Sequence, residues 1–260
     1  MRNTGLLFIL LLSGMLSACV TTTTGGFNVE PSEEEAQEDY IQLAVAYFDA
    51  GDLAGARRHI NNAIQINDRN TSIYNVLALI FQQEGDLELA EENFERAIRL
   101  DRSNSRARNN YAALLFSQGK FEEAYEQLVI VTEDTMYEGR AIAFENLGRS
   151  AIRLGKTLEA ELAFQRALQL NGNLYVSAVE LAILRADRED WAGARNAFQR
   201  YLTTADFYNI PHTPRALLAG ISIESRFQNQ DLVRDFTRIL TTLYRESPEY
   251  EAFLELSDVN

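Results

Sequence analysis

Apolar residues recur at steps of three and four from about residue 37 onwards, with polar residues between them. Tyr40, Ala44 and Tyr47 make one such stripe, and Ala56, Ile60 and Ala63 make the next. That spacing puts the apolar side chains on one face of an amphipathic helix. Gly51-Asp52 separates the two stripes and reads as a turn. The arrangement then repeats. Gly51, Gly85 and Gly119 stand 34 residues apart, and an alanine follows each five residues later: Ala56, Ala90 and Ala124.

A helix pair recurring every 34 residues resembles the tetratricopeptide (TPR) unit. The resemblance implies an all-α fold, a right-handed superhelix of about six TPR helix–turn–helix repeats. Aligned on the turn glycine, the repeats cover about 37–70, 71–104, 105–138, 141–174, 175–208 and 215–248. The second matches best, with Tyr74, Ala78, Phe81, Gly85, Ala90, Phe94 and Ala97. Two extra residues near Gly139 shift the register into the fourth, which carries Phe144, Leu147, Gly148, Gly155, Ala160, Phe164 and Ala167. In the fifth, Glu189 replaces the turn glycine, while Ala182, Ala194 and Phe198 keep the pattern. The sixth keeps only apolar periodicity, through Leu218, Ile221, Phe236 and Leu240. An atypical last repeat is expected where a solenoid needs a cap. Asn67 and Asn171-Gly172 are expected to end their helices in the left-handed conformation. Pro211 and Pro214 forbid a continuous helix through 208–214, and residues 249–260 read as a C-terminal tail.

The N-terminus follows a different logic. Arg2, the apolar run Leu6–Leu12 and the small residues before Cys19 have the three parts of a signal peptide. The apolar run is shorter than the ~20 residues a membrane-spanning helix needs. Leu16-Ser17-Ala18-Cys19 resembles the lipobox of bacterial lipoproteins, and Cys19 is the single cysteine of the chain. The resemblance implies that residues 1–18 are removed and that Cys19 is lipidated, tying the protein to a membrane. Val20 stands where an aspartate would retain a lipoprotein in the inner membrane, which favours the outer membrane and its periplasmic face. Residues 19–36, rich in Thr, Gly and acids, read as the lipidated cysteine and a flexible tether.

Charge and chemistry narrow the function. A net charge of −14 repels phosphate backbones and argues against nucleic-acid binding. The two histidines, His59 and His212, are far apart and read as surface or packed residues. No nucleophile–base arrangement, phosphate-binding loop or metal-ligand cluster stands out, so neither an enzyme nor a cofactor is expected. Stacked first helices line the concave face of a TPR superhelix, with positions 2, 5, 9 and 12 of each repeat pointing into it. The candidate partner groove is therefore Ile41, Val45 and Phe48, then Ser72, Asn75, Leu79 and Gln82, then Arg106, Asn109, Ala113 and Phe116. Its amides suit a peptide backbone and its apolar residues suit anchor side chains.

A lipobox ahead of six TPR-like units resembles the type IV pilus biogenesis lipoproteins, the PilF/PilW family of secretin pilotins. The likeness is strongest after residue 140. It rests on Phe144-Glu145-Asn146-Leu147-Gly148, on Arg166-Ala167-Leu168-Gln169-Leu170-Asn171, and on the run from His212 to Ile221. Near the end, Leu243-Tyr244 and Ser247-Pro248-Glu249-Tyr250 match a closing motif with the proline displaced. The resemblance implies a non-enzymatic outer-membrane lipoprotein that binds a secretin subunit and helps it localise or multimerise. A lipoprotein scaffold for outer-membrane protein assembly or peptidoglycan synthesis would share the same anchor and fold.

Overall fold

The structure, a computed structural model, describes residues 32–258, so Cys19 and the segment before residue 32 lie outside the described residues. Among the described residues every regular element is an α-helix. Twelve helices pair as α1 (Glu33–Asp49) with α2 (Leu53–Ile66), α3 (Thr71–Glu84) with α4 (Leu87–Leu100), α5 (Ser105–Ser117) with α6 (Phe121–Glu133), α7 (Arg140–Arg153) with α8 (Thr157–Leu170), α9 (Tyr175–Asp187) with α10 (Trp191–Tyr208), and α11 (Pro214–Arg226) with α12 (Gln230–Leu243). A thirteenth, α13 (Pro248–Asp258), forms where a tail was expected. Helix α1 also begins inside the segment read as tether. Ser32 and Glu35 explain the early start, because they close a capping box in which Glu35 N–H donates to Ser32 Oγ at 3.1 Å and Ser32 N–H donates to Glu35 Oε2 at 2.8 Å.

Each pair turns through one left-handed residue. The glycines at 51, 85, 119 and 155 have φ of 79°, 85°, 80° and 69°. Glu189 and Gln228 hold the same place at 61° and 58° without being glycine. The next helix starts two residues later in every repeat. Small residues then let the paired helices close up. Ala44, Ala78, Ala112, Gly148 and Ala182 are buried on the first helices, opposite Ile60, Phe94, Leu128, Phe164 and Phe198 on the second. The last repeat shifts this pairing by one residue: Gly220 supplies the space and Phe236 the ring, and a Cβ on Gly220 would come within 2.7 Å of Phe236.

The second helices do not end as the asparagines suggested. Asn67 and Asn171 have φ of −155° and −141°, which is extended backbone. Each side-chain oxygen instead accepts the N–H two residues on, from Arg69 at 2.9 Å and from Asn173 at 3.0 Å. Asp101 and Asp134 do the same for Ser103 and Met136. A side chain that satisfies the next turn stops the helix without a left-handed residue. Asn209, at the end of α10, is the asparagine that does adopt it, with φ of 52°.

Consecutive first helices touch one another (α1–α3, α3–α5, α5–α7, α7–α9, α9–α11), whereas each second helix packs between its own partner and the next first helix. A layer whose members touch is shorter than one whose members are spaced apart. The stack therefore curves with the first helices on the inside. Both histidines are packed: His59 lies between the rings of Tyr40 and Tyr47. His212 fixes the loop before α11, with Nδ1 2.7 Å from Tyr201 Oη and its carbonyl accepting from Tyr244 Oη at 3.0 Å.

Three substitutions check this architecture. No atom lies within 4 Å of a Cβ built on Gly85, so Gly85→Ala costs only backbone strain, about 1–2 kcal/mol by urea denaturation. Glu189→Gly relieves the same strain and raises stability by up to about 1 kcal/mol, less the added freedom of the unfolded chain. Burial also lowers the pKa of His212 below its ordinary 6.5. The unfolded chain then binds the proton more readily, so stability present above that value falls as pH drops through the depressed one. His212→Gln should make the loss of stability as pH falls below 6.5 shallower.

Candidate functional site

The inner face is built from the first helices, and a polar ladder holds those helices side by side. Asn70 Nδ2 donates to Gln37 Oε1 at 3.0 Å, linking α3 to α1. Asn110 Nδ2 donates to Asn75 Oδ1 at 3.0 Å, linking α5 to α3. Asn146 Nδ2 donates to Asn109 Oδ1 at 3.3 Å, linking α7 to α5. Ser177 donates to Glu145 from both N–H, at 3.0 Å, and Oγ, at 2.7 Å. Arg215 closes the series on Glu180 with two bonds of 2.7 Å. That bidentate pair is the strongest rung, and Glu180 holds the Arg215 guanidinium above its ordinary pKa.

This ladder reassigns part of the sequence-derived groove. Asn75 and Asn109 are buried and bonded to the neighbouring helix, so they join repeats rather than wait for a peptide backbone. Ile41 is only 4% exposed and belongs to the N-terminal core. The remaining positions are accessible. Val45, Arg106 and Ala113 are exposed, and Phe48, Leu79, Gln82 and Phe116 are half-buried. Physically, periodicity says which side of a helix faces inward but not how close the next helix comes.

The middle of the face is basic although the chain is acidic. Arg149 stacks over Phe116, its guanidinium carbon 4.9 Å from the ring centre, and Arg153 lies 3.9 Å over Phe121. Among the described residues neither makes an ion pair. A guanidinium held on a ring is pre-positioned while its N–H groups stay available. Between α5 and α7 a cavity of about 170 Å³ opens beside these groups, lined by Ala113, Phe116, Asn146 and Arg149 among others. An apolar wall, an amide and an unpaired cation can hold a peptide with an apolar anchor and a nearby carboxylate.

The sequence-derived groove stopped at the third repeat and missed the inward positions of the next two. They are Ile142, Glu145, Arg149 and Ile152, then Val176, Val179, Ile183 and Ala186. Counting back from Gly155 and Glu189 at the same offsets would have found them. The register slip after α6 hid the continuation. The slip itself is a six-residue connection, 134–139, where the earlier repeats use four. No described helix is long and apolar enough to cross a membrane.

Comparison with known proteins bears on this architecture. The tetratricopeptide repeat family matches residues 81–135 and again residues 141–174. The type IV pilus assembly protein PilF of Pseudomonas aeruginosa is 30% identical over 246 residues, covering 94% of this chain and 96% of the relative. The solved structure of Pseudomonas aeruginosa PilF superposes with a TM-score of 0.80 at 31% identity, covering 86% of this chain and 98% of the other. PilW, described as a widely conserved type IV pilus biogenesis factor, superposes with a TM-score of 0.68 at 22% identity, covering 85% and 99%.

If Asn75 and Asn109 are rungs of a ladder, each change to Ala should lower the stability of the unliganded chain by about 1 kcal/mol. Ala113→Ser, at an exposed inner position, should leave it unchanged. Equal stability of all three variants in urea denaturation would contradict the structural role.

Proposed function

The chain belongs to the PilF family of type IV pilus assembly proteins, and from that premise we propose that it is an outer-membrane lipoprotein adaptor for a secretin subunit. Family membership supports a role in pilus biogenesis. The finer reading adds an anchor and a partner. Lipidation of Cys19 would hold the protein at the periplasmic side of the outer membrane, since each buried acyl methylene contributes about 0.8 kcal/mol and more than one chain gives stable anchoring. The inner face would take a segment of the secretin, and the anchor would carry the complex to the membrane where the subunits multimerise.

The observation that favours a protein partner is the inner face itself. It combines accessible Val45, Leu79 and Phe116 with Arg149 and Arg153, whose guanidinium groups rest on aromatic rings. A secretin segment that fits carries an apolar anchor flanked by a carboxylate. The overall charge of −14 would repel acidic partners everywhere except at this basic centre, which helps to orient the encounter. The work required is binding and positioning, with no bond made or broken.

Replacing the acceptor, Cys19→Ala, should leave secretin subunits monomeric and away from the outer membrane, as read by fractionation and by the heat-resistant multimer on a gel. Normal multimers at the outer membrane would overturn the mechanism. Co-purification of the anchored wild-type chain separates the partners. Capture of outer-membrane assembly or peptidoglycan synthesis proteins, with no secretin, would favour the scaffold reading instead.

A further inference from the structure

Helix α13 stands outside the repeat pattern and lies against the inner face of the last two repeats. It packs on α11, and Tyr250 and Phe253, three residues apart on one side, rest half-buried on the C-terminal core. Glu249 and Leu256 border a cavity of about 210 Å³ together with Ile183 and Ala186 of α9 and Leu218 and Ser222 of α11. These α9 and α11 residues are the inward positions that form the open groove in earlier repeats. The carboxylate of Glu249 is near enough to Arg215 to add to the field on its guanidinium.

The seat is occupied loosely. Of the side chains described on α13, none is fully buried, whereas every other helix buries at least two residues. The cavity remains beneath the helix, and Leu254 and Leu256 are 42% and 54% exposed. Eleven residues are fewer than the roughly 12–15 an isolated helix needs to persist in water. Helix α13 is therefore folded by its docking and lost when it undocks. It also shows directly which chemistry the inner face accepts.

We propose that the inner face of α9 and α11 is a helix-binding site, filled in the free protein by α13 and taken over by an amphipathic helix of a partner. The fitting helix resembles α13: two aromatic residues three apart, a leucine three residues beyond the second, and a carboxylate just before the first, near Arg215. The proposal rests on the reading of the inner face as the binding face. It adds that the C-terminal end binds a helix and is closed until a partner competes.

The test needs no secretin, so its failure is separate from failure of the adaptor role. The probe is a fluorescein-labelled synthetic peptide of residues 246–258, titrated into the full chain and into the full chain carrying Tyr250→Ala and Phe253→Ala. Anisotropy should show the peptide binding the double variant at least tenfold more tightly than the unaltered chain, because no resident helix has to leave. A peptide with the same two alanines should bind neither. Failure of the native peptide to bind the double variant, equal affinity for both chains, or dimers formed by exchange of α13 would overturn the proposal. Hydrogen exchange of the unaltered chain gives an independent reading, whether or not the double variant folds. Amides of α13 should exchange at least tenfold faster than those of α11, and equal protection of the two helices would contradict a displaceable occupant.

Discussion

The close approach of the two helices in each repeat is the constraint on which everything else depends. It requires a small residue on the first helix and a large apolar one on the second. The contact is most direct in the fourth repeat, where a Cβ on Gly148 would come within 2.7 Å of the Phe164 ring. Phe94, Phe164 and Phe198 are fully buried, and each such ring contributes about 2–3 kcal/mol by leaving water. Because the pairs are tight, successive first helices can touch while the second helices stay apart. That asymmetry curves the stack and creates the inner face.

The polar ladder refines the curvature into a fixed surface. Amides link the N-terminal repeats, and carboxylates take over from Glu145 onward, ending in the Glu180–Arg215 pair. A chain of satisfied polar contacts between repeats sets their register, which apolar packing alone leaves free to slide. It also leaves Arg149 and Arg153 without ion-pair partners among the described residues, at the centre of an acidic molecule. The acidic exterior and basic inner centre are thus products of one arrangement.

Much of this was legible in the residues. The 34-residue glycine ladder located the first three turns, Gly155 marked the fourth after the two-residue slip, and Ala194 with Phe198 placed the fifth despite Glu189. Gln228 was not recognisable, because the last repeat displaces its small residue and its ring by one position. The sequence spacing also identified the break at Pro211 and Pro214, which became the loop fixed by His212. Other features depend on neighbours that a linear pattern does not record. Asn75 and Asn109 face inward as expected, but Asn110 and Asn146 reach them first. Asn67 and Asn171 stop their helices as expected, but through side-chain hydrogen bonds in extended backbone. The helix Pro248–Asp258 forms where residues 249–260 were expected to be a tail; eleven residues with four acids promise little on their own, and docking against α11 decides the matter.

The central proposal is that the inner face, and not the outer one, would meet a secretin subunit. Site-specific photo-crosslinking in living cells addresses this directly. A benzophenone side chain at Ala113 lies on the inner face beside Phe116, and one at Gln165 lies on the exposed outer side of α8. Irradiation should join the secretin to the chain through position 113 and not through position 165. Crosslinks to the secretin from position 165 alone, or from neither position in cells that assemble pili, would contradict the account.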